Sequence, residues 1–184
     1  MSETDTALVL RARDGDRAAF EELVRRTSRL VFARLFLDTG NVHRAEDLLQ
    51  ETLLTAFRSL RQLDNAAHFR SWLLTIAHNA VIDAARREAR QKRAGRPDDS
   101  ALNEVPANGL SPEDAALRAE LRQQVLSVLR SLPEEYRLPL TLRYITGADY
   151  ETIGEQLGLT NGSLRGMLHR GLKMLRDRLP AGLQ

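Results

Sequence analysis

YETIGEQLGLTNGSLRGMLHRGLKML, from Tyr150 to Leu175, sets the architecture around which the rest of the chain is arranged. Asp149 is a good N-cap, Tyr150, Ile153 and Leu157 recur at helical spacing, and Gly158 stands where a left-handed residue ends a helix. A short turn, Gly158-Leu159-Thr160, leads to Thr160, which can cap a second helix. On that helix Leu164, Leu168, Gly171, Leu172, Leu175 and Leu179 fall on one side at about 100° per residue. Opposite them run Arg165, His169, Lys173 and Arg176. Two short helices at a tight turn, the second cationic on its outer side, fit the major groove of duplex DNA. There the cations reach guanine acceptors or phosphates while the apolar side packs on the first helix. The plainer reading is an αα-hairpin with a solvated charged face.

The chain has 184 residues, 42% of them hydrophobic, enough for one or two small domains with real cores. With no cysteine, disulfides and cysteine-ligated zinc are excluded. Met1 to Thr6 is polar and no apolar run approaches membrane-spanning length, so the expectation is a soluble cytoplasmic protein without signal peptide or membrane insertion. Net charge is only +2, but the charges are segregated. Arg86, Arg87, Arg90, Lys92, Arg93 and Arg96 face Glu88 alone, whereas Asp98, Asp99, Glu104, Glu113, Asp114 and Glu120 face only Arg118.

Upstream, a short helix around Leu8 to Arg13 breaks at Asp14-Gly15-Asp16. A longer helix follows, buried along Phe20, Leu23, Val24, Thr27, Leu30 and Val31, and ends at Thr39-Gly40-Asn41. Asn41 can cap a third helix carrying Ala45, Leu48, Leu49, Thr52, Ala56, Leu60 and Leu63 on its apolar side. Glu46, Asp47, Gln50 and Glu51 on its outer side favour the positive end of the helix dipole, or form a docking surface for a basic partner. Composition does not choose between these.

After Asp64-Asn65-Ala66-Ala67, the segment Phe69 to Arg90 has a core side of Phe69, Leu73, Ile76, Ala77, Ala80 and Ala84. Beside it runs a stripe of Trp72, Asn79, Asp83, Arg86 and Arg90, mixing an aromatic, an amide and cations as single-stranded nucleic acid requires. The alternative places Trp72 in the core and treats the arginines as a solvated helix end. Gly95, Pro97, Pro106 and Gly109 mark residues 94–110 as a flexible acidic linker between two helical domains. Ser111-Pro112 then opens a helix with Leu117, Leu121, Val125, Val128 and Leu132 as its expected buried side. Pro133 begins another, in which Pro139 predicts a kink or early break between Glu135 and Leu140, and Gly147 closes it. The expected fold class is all-α, in two small domains, residues 1–93 and 111–184, the second carrying the helix-turn-helix.

In this order of parts the chain resembles the extracytoplasmic-function sigma factors, the compact two-domain members of the sigma-70 family of bacterial transcription initiation factors. The resemblance rests on Ala45 to Glu51 with Ala56-Phe57, on Phe69 to Asn79 with Asp83, and on Leu132 to Tyr136 continuing through Tyr150 to Leu175. It implies that Glu46, Asp47, Gln50 and Glu51 dock on core RNA polymerase. It implies that the region of Asp64 to Arg87 holds the opened minus-10 strand of promoter DNA, with a base flipped into a pocket near the preceding loop. Asn79 is the expected base contact, Arg86 and Arg87 are the backbone contacts, and Trp72, Asp83 and Arg90 lie on the same stripe. The linker is expected to thread into the polymerase channels. Ser163, Arg165, His169, Arg170, Lys173 and Arg176 are the expected minus-35 contacts, and an anti-sigma factor is an expected partner. No cofactor, metal or catalytic residue is implied.

The sequence departs from the family where serine and arginine are usual, at Gly166 and Met167, which removes one customary phosphate contact. Glycine in a helix costs about 1 kcal/mol relative to alanine, so Gly162, Gly166 and Gly171 weaken this helix, and packing or DNA must complete it. Gly162 and Gly166 are expected on the DNA side. The rival readings are a stand-alone helix-turn-helix regulator, a metal enzyme using His43, Asp47 and Glu51, and an adaptor that binds only proteins. Against the metal enzyme, His43, His68, His78 and His169 are scattered, no two at ligand spacing.

Overall fold

The computed structural model describes residues 3–93 and 112–179, where it contains α-helices and short 3-10 turns with no strand. The expected linker, with Asp98, Asp99 and Glu104, and the capping residue Ser111 lie outside the described residues. The chain divides into two units, Met1–Arg87 and Glu88–Gln184.

The first unit is built from α1 (Asp5–Arg13), α2 (Arg17–Thr39), α3 (Val42–Ser59) and most of α4 (Phe69–Arg93), with 3-10 turns at Leu60–Gln62 and Ala66–His68. Each early boundary has a local cause. The Thr4 hydroxyl accepts from Ala7 N at 3.3 Å and starts α1 ahead of its first apolar residue, and the Asp16 carboxylate accepts from Ala19 N at 3.2 Å to start α2. Gly40 ends α2 at φ 72°, and the Asn41 amide oxygen accepts from Arg44 N at 3.0 Å to begin α3 at once. Caps of this kind are worth about 1 kcal/mol each.

Leu8, Val9, Leu23, Val31, Leu35 and Leu73 are almost wholly removed from water and form the core where α1 to α4 meet. Thr27 and Thr52 are also fully buried, because each hydroxyl donates to the carbonyl four residues back, Leu23 O at 2.7 Å and Leu48 O at 2.6 Å. Asp5 fastens α1 to both neighbours, accepting from Arg26 on α2 at 3.2 Å and from Arg70 on α4 at 2.7 Å.

The second unit contains α5 (Pro112–Ser131), α6 (Glu134–Tyr144), α7 (Tyr150–Leu157) and α8 (Asn161–Arg178). Its buried residues include Leu126, Leu129, Leu132, Tyr136, Leu140 and Leu142, joined by Ile153, Leu164 and Leu168 from the helix-turn-helix. The expected side of α5 is corrected here. Leu117 is 55% exposed, and Leu121, Val125 and Val128 are half-buried, while the adjacent row Leu126 and Leu129 carries the contact with Leu132. The pairs Val125-Leu126 and Val128-Leu129 offer two apolar rows one residue apart, and periodicity alone does not separate them.

The expected early break at Pro139 is also corrected, because α6 runs unbroken from Glu134 to Tyr144 with Pro139 buried inside it. The carbonyl that Pro139 leaves unpaired belongs to Glu135, in the exposed first turn where water can serve it, while the pyrrolidine ring fills core space. Pro133 stands just before the helix as its cap rather than as its first residue.

Candidate nucleic-acid interface

The helix-turn-helix is assembled by three short-range devices. Asp149 accepts from Thr152 N at 2.7 Å, Gly158 adopts φ 67°, and Thr160 accepts from Ser163 N at 3.3 Å. A fourth device was not foreseen from sequence. A Cβ placed on Gly154 would stand 2.9 Å from the carbonyl oxygen of Leu159, so the absence of a side chain there lets the turn fold back on α7. Leu159 N donates to Gly154 O at 2.9 Å across the same contact. Gly171 plays a similar part on α8. Its Cβ would meet Leu140 Cδ1 at 3.0 Å and Tyr136 Cβ at 3.3 Å, so α8 lies close against α6.

Gly162 and Gly166 are different, for a Cβ at Gly162 would meet nothing within 4 Å and the nearest atoms to one at Gly166 are those of the Arg170 guanidinium, at 3.2 Å and beyond. The fold therefore needs the glycines at 154 and 171 but not those at 162 and 166.

Leu164, Leu168 and Gly171 are buried while Ser163, Arg165, His169, Arg170, Lys173 and Arg176 are all exposed, so α8 presents every expected minus-35 contact to solvent. Arg165 and Arg143 both approach the ring of Tyr150, with guanidinium carbons 5.9 and 5.1 Å from its centroid. The Tyr150 face thus steadies Arg165 at the start of the cationic side. Tyr150 was legible as a packing residue of α7, and this second role was not.

On the single helix α4, Asn79, Asp83, Arg86 and Arg90 are exposed in line with half-buried Trp72. Trp72 is thus neither core nor free. Its ring lies 6.1 Å from that of Phe69 and borders a cavity of about 290 Å3 shared with Asp64, Asn65, His68, Ser71 and Thr75. His68, Ser71 and Thr75 were not singled out as site residues. Their spacing of three and four on one helical face was the available signal.

Glu46, Asp47 and Gln50 are exposed on α3, with His43 Nδ1 3.7 Å from the Glu46 carboxylate. The fourth residue of that set is occupied, since Arg87 Nη2 donates to Glu51 at 2.9 Å and joins α3 to α4. Two expected sites thus meet, one residue from the acidic set and one from the strand-binding set. Among the described residues no group of three or more His, Asp or Glu side chains is arranged to hold a metal ion, and no helix is long and apolar enough to cross a membrane.

Both halves match known proteins in the same order. The family model for sigma-70 region 2 matches residues 10–91, and that for sigma-70 region 4 matches residues 122–175. The ECF RNA polymerase sigma factor SigE of Mycolicibacterium smegmatis is 38% identical over 168 residues, which cover 90% of this chain and 64% of that relative. SigW of Bacillus subtilis, another ECF RNA polymerase sigma factor, is 30% identical over 176 residues, covering 93% of this chain and 94% of that one. The RNA polymerase sigma factor CarQ of Myxococcus xanthus is 35% identical over 169 residues, covering 92% and 94% respectively. With two sigma-70 regions matched in sequence order and two of these relatives, SigW and CarQ, matched over nearly their whole length, the chain belongs to the extracytoplasmic-function sigma factors of the sigma-70 family.

Proposed function

We propose that this protein gives core RNA polymerase its promoter choice by reading DNA in two states. Residues 111–184 read the minus-35 element as duplex through Ser163, Arg165, His169, Arg170, Lys173 and Arg176. Residues 1–93 hold the opened minus-10 strand along Trp72, Asn79, Asp83, Arg86, Arg87 and Arg90, with one unstacked base in the cavity beside Trp72 and Asn65. Glu46, Asp47, Gln50 and Glu51 dock on the polymerase, and residues 94–110 link the two domains. The protein acts in the cytoplasm and makes or breaks no bond, since binding energy supplies the melting. An anti-sigma factor is the partner that would hold it inactive.

The observation that carries this reading is the uncovered cationic side of α8, opposite its buried leucines. Bases need a flat apolar surface and hydrogen-bond donors once unstacked, and the cavity at Trp72 offers both near the start of the helix that carries Arg86, Arg87 and Arg90 further along. Its test uses holoenzyme on a responsive promoter with permanganate probing of unpaired thymines and footprinting of the duplex. Asn79→Ala is expected to remove permanganate reactivity while the minus-35 footprint remains, and Arg165→Glu to remove both. Equal open-complex signal from wild type and Asn79→Ala would contradict the assignment of the strand to α4.

A further inference from the structure

A second cavity of the first unit lies apart from every residue set assigned so far. It measures about 300 Å3 and sits between the turn from α1 to α2 and the end of α3, where Arg13, Arg17, Arg58 and Arg61 line it with Phe57 and Asp16. Two of the arginines fasten its walls together. Arg13 Nε donates to Leu60 O at 3.3 Å, and Arg61 Nε donates to Arg13 O at 3.4 Å. The side chains of the other two, Arg17 and Arg58, are exposed and have no hydrogen bond or ion pair among the described residues.

The lining carboxylate does little to offset four positive charges. Asp16 is held by Arg11 at 2.6 Å and accepts from Ala19 N at 3.2 Å. Phe57 is 49% exposed at the rim and is steadied edge-on by Phe20, with centroids 5.0 Å apart. An uncompensated cluster of guanidinium groups fits phosphate oxygens, and an exposed ring beside it fits a base.

The position of this cavity selects its ligand. The 3-10 turn Leu60–Gln62 is shared, with Leu60 and Arg61 lining this cavity and Gln62 lining the one beside Trp72. Consecutive residues therefore face the two cavities. We infer that the arginine-lined cavity binds phosphates of the same single DNA strand whose unstacked base enters the cavity at Trp72, with Phe57 as a platform for a neighbouring base. This rests on the proposed promoter-melting function and extends its strand path from α4 across the turn to α1, α2 and α3.

The test uses holoenzyme and a fluorescein-labelled single strand taken from a promoter mapped by transcript-start sequencing. Arg17→Gln/Arg58→Gln removes only the two arginines without protein partners, so its melting curve should match wild type. The double variant is expected to bind the strand about tenfold more weakly. The slope of log affinity on log salt should fall by about 1.4, two phosphates at roughly 0.7 each. Arg17→Lys/Arg58→Lys should restore the slope, because the charge remains.

Binding to a minus-35 duplex should be unchanged. Strand affinity and salt slope equal to wild type would overturn the inference. So would loss of assembly with core polymerase, which would assign the arginines to that interface. Titration with ADP and inorganic phosphate separates a free phosphate ligand. If these bind wild type and not the double variant while the strand slope stays constant, the cavity serves a small anion and the strand path is wrong. A wild-type holoenzyme that yields no promoter overturns the underlying function as well, whereas active wild type with an equivalent variant overturns this inference alone.

Discussion

Glycine-to-alanine substitution should have opposite signs at two positions of the helix-turn-helix. At Gly154 the new Cβ would lie 2.9 Å from Leu159 O, and that carbonyl is part of the turn held by the Leu159 N to Gly154 O bond of 2.9 Å. No flexible side chain can yield there, so the turn must move. Overpacking of this kind costs about 1 to 3 kcal/mol, against a helix-propensity gain of up to about 1 kcal/mol. Gly154→Ala should therefore be destabilising by about 1 kcal/mol. At Gly166 the nearest neighbour is the Arg170 guanidinium at 3.2 Å, the far end of an exposed side chain, so the propensity gain should survive almost whole.

For a unit of this size 1 kcal/mol moves the melting temperature by about 4 to 8 °C, so the two variants should straddle wild type by roughly 10 °C. The three tyrosines, Tyr136, Tyr144 and Tyr150, all lie in the second unit, and the single tryptophan, Trp72, lies in the first. Tyrosine near-ultraviolet signal and tryptophan fluorescence followed in one thermal scan of the full chain thus report the two units separately. Gly154→Ala should lower the tyrosine transition, Gly166→Ala should raise it, and neither should move the tryptophan transition. A Gly154→Ala protein melting at or above wild type by the tyrosine signal would refute the close-approach argument.

Three further outcomes follow from other contacts. Glu51 and Arg87 are each about half exposed, so a double-mutant cycle with Glu51→Gln and Arg87→Gln should give a coupling energy below about 1 kcal/mol in thermal or urea unfolding. Both single variants should then be foldable, and polymerase affinity should fall for Glu51→Gln. Hydrogen bonds from Arg25 and then Arg26 hold the Glu22 carboxyl down from 4.5 to about 2, so its contribution to stability is complete above pH 4.5 and is lost as pH falls toward 2. Urea titrations across that window should show a shallower acid loss for Glu22→Gln, and identical curves would contradict it. Leu35→Ala empties a fully buried site and should cost 2 to 5 kcal/mol in the tryptophan transition, roughly the range seen for such truncations.

The parts of the fold legible in sequence were those written in local chemistry. Asp149, Gly158 and Thr160 act within four residues of the groups they cap, and Gly40 with Asn41 does the same between α2 and α3. The exposed row on α8 followed equally from helical period, because its leucines fall on one side, with Leu164 and Leu168 buried and Leu172 and Leu175 half-buried. On α5 the same method chose Val125 and Val128 over Leu126 and Leu129, since two rows competed and only contact with the rest of the unit distinguishes them. Pro139 misled because its lost hydrogen bond falls at the hydrated first turn of α6.

The site was harder to read where residues meet across the chain. Glu51 and Arg87 are 36 positions apart, and each was read on its own helix with a different partner. Arg13 and Arg17 join Arg58 and Arg61 only when α1 packs beside the end of α3, so no sequence window contains the cluster. Gly154 was not singled out in the sequence, because its reason is a carbonyl in the following turn.

Run-off transcription reads promoter choice itself. Core polymerase is incubated with fragments of the source genome, with and without the purified protein, and the transcript starts are sequenced. With the protein present, discrete new starts should share two upstream elements, one at minus-35 and one at minus-10, and should disappear with Arg165→Glu. No new starts, together with symmetric dimeric footprints on DNA in the absence of polymerase, would contradict the proposed promoter choice.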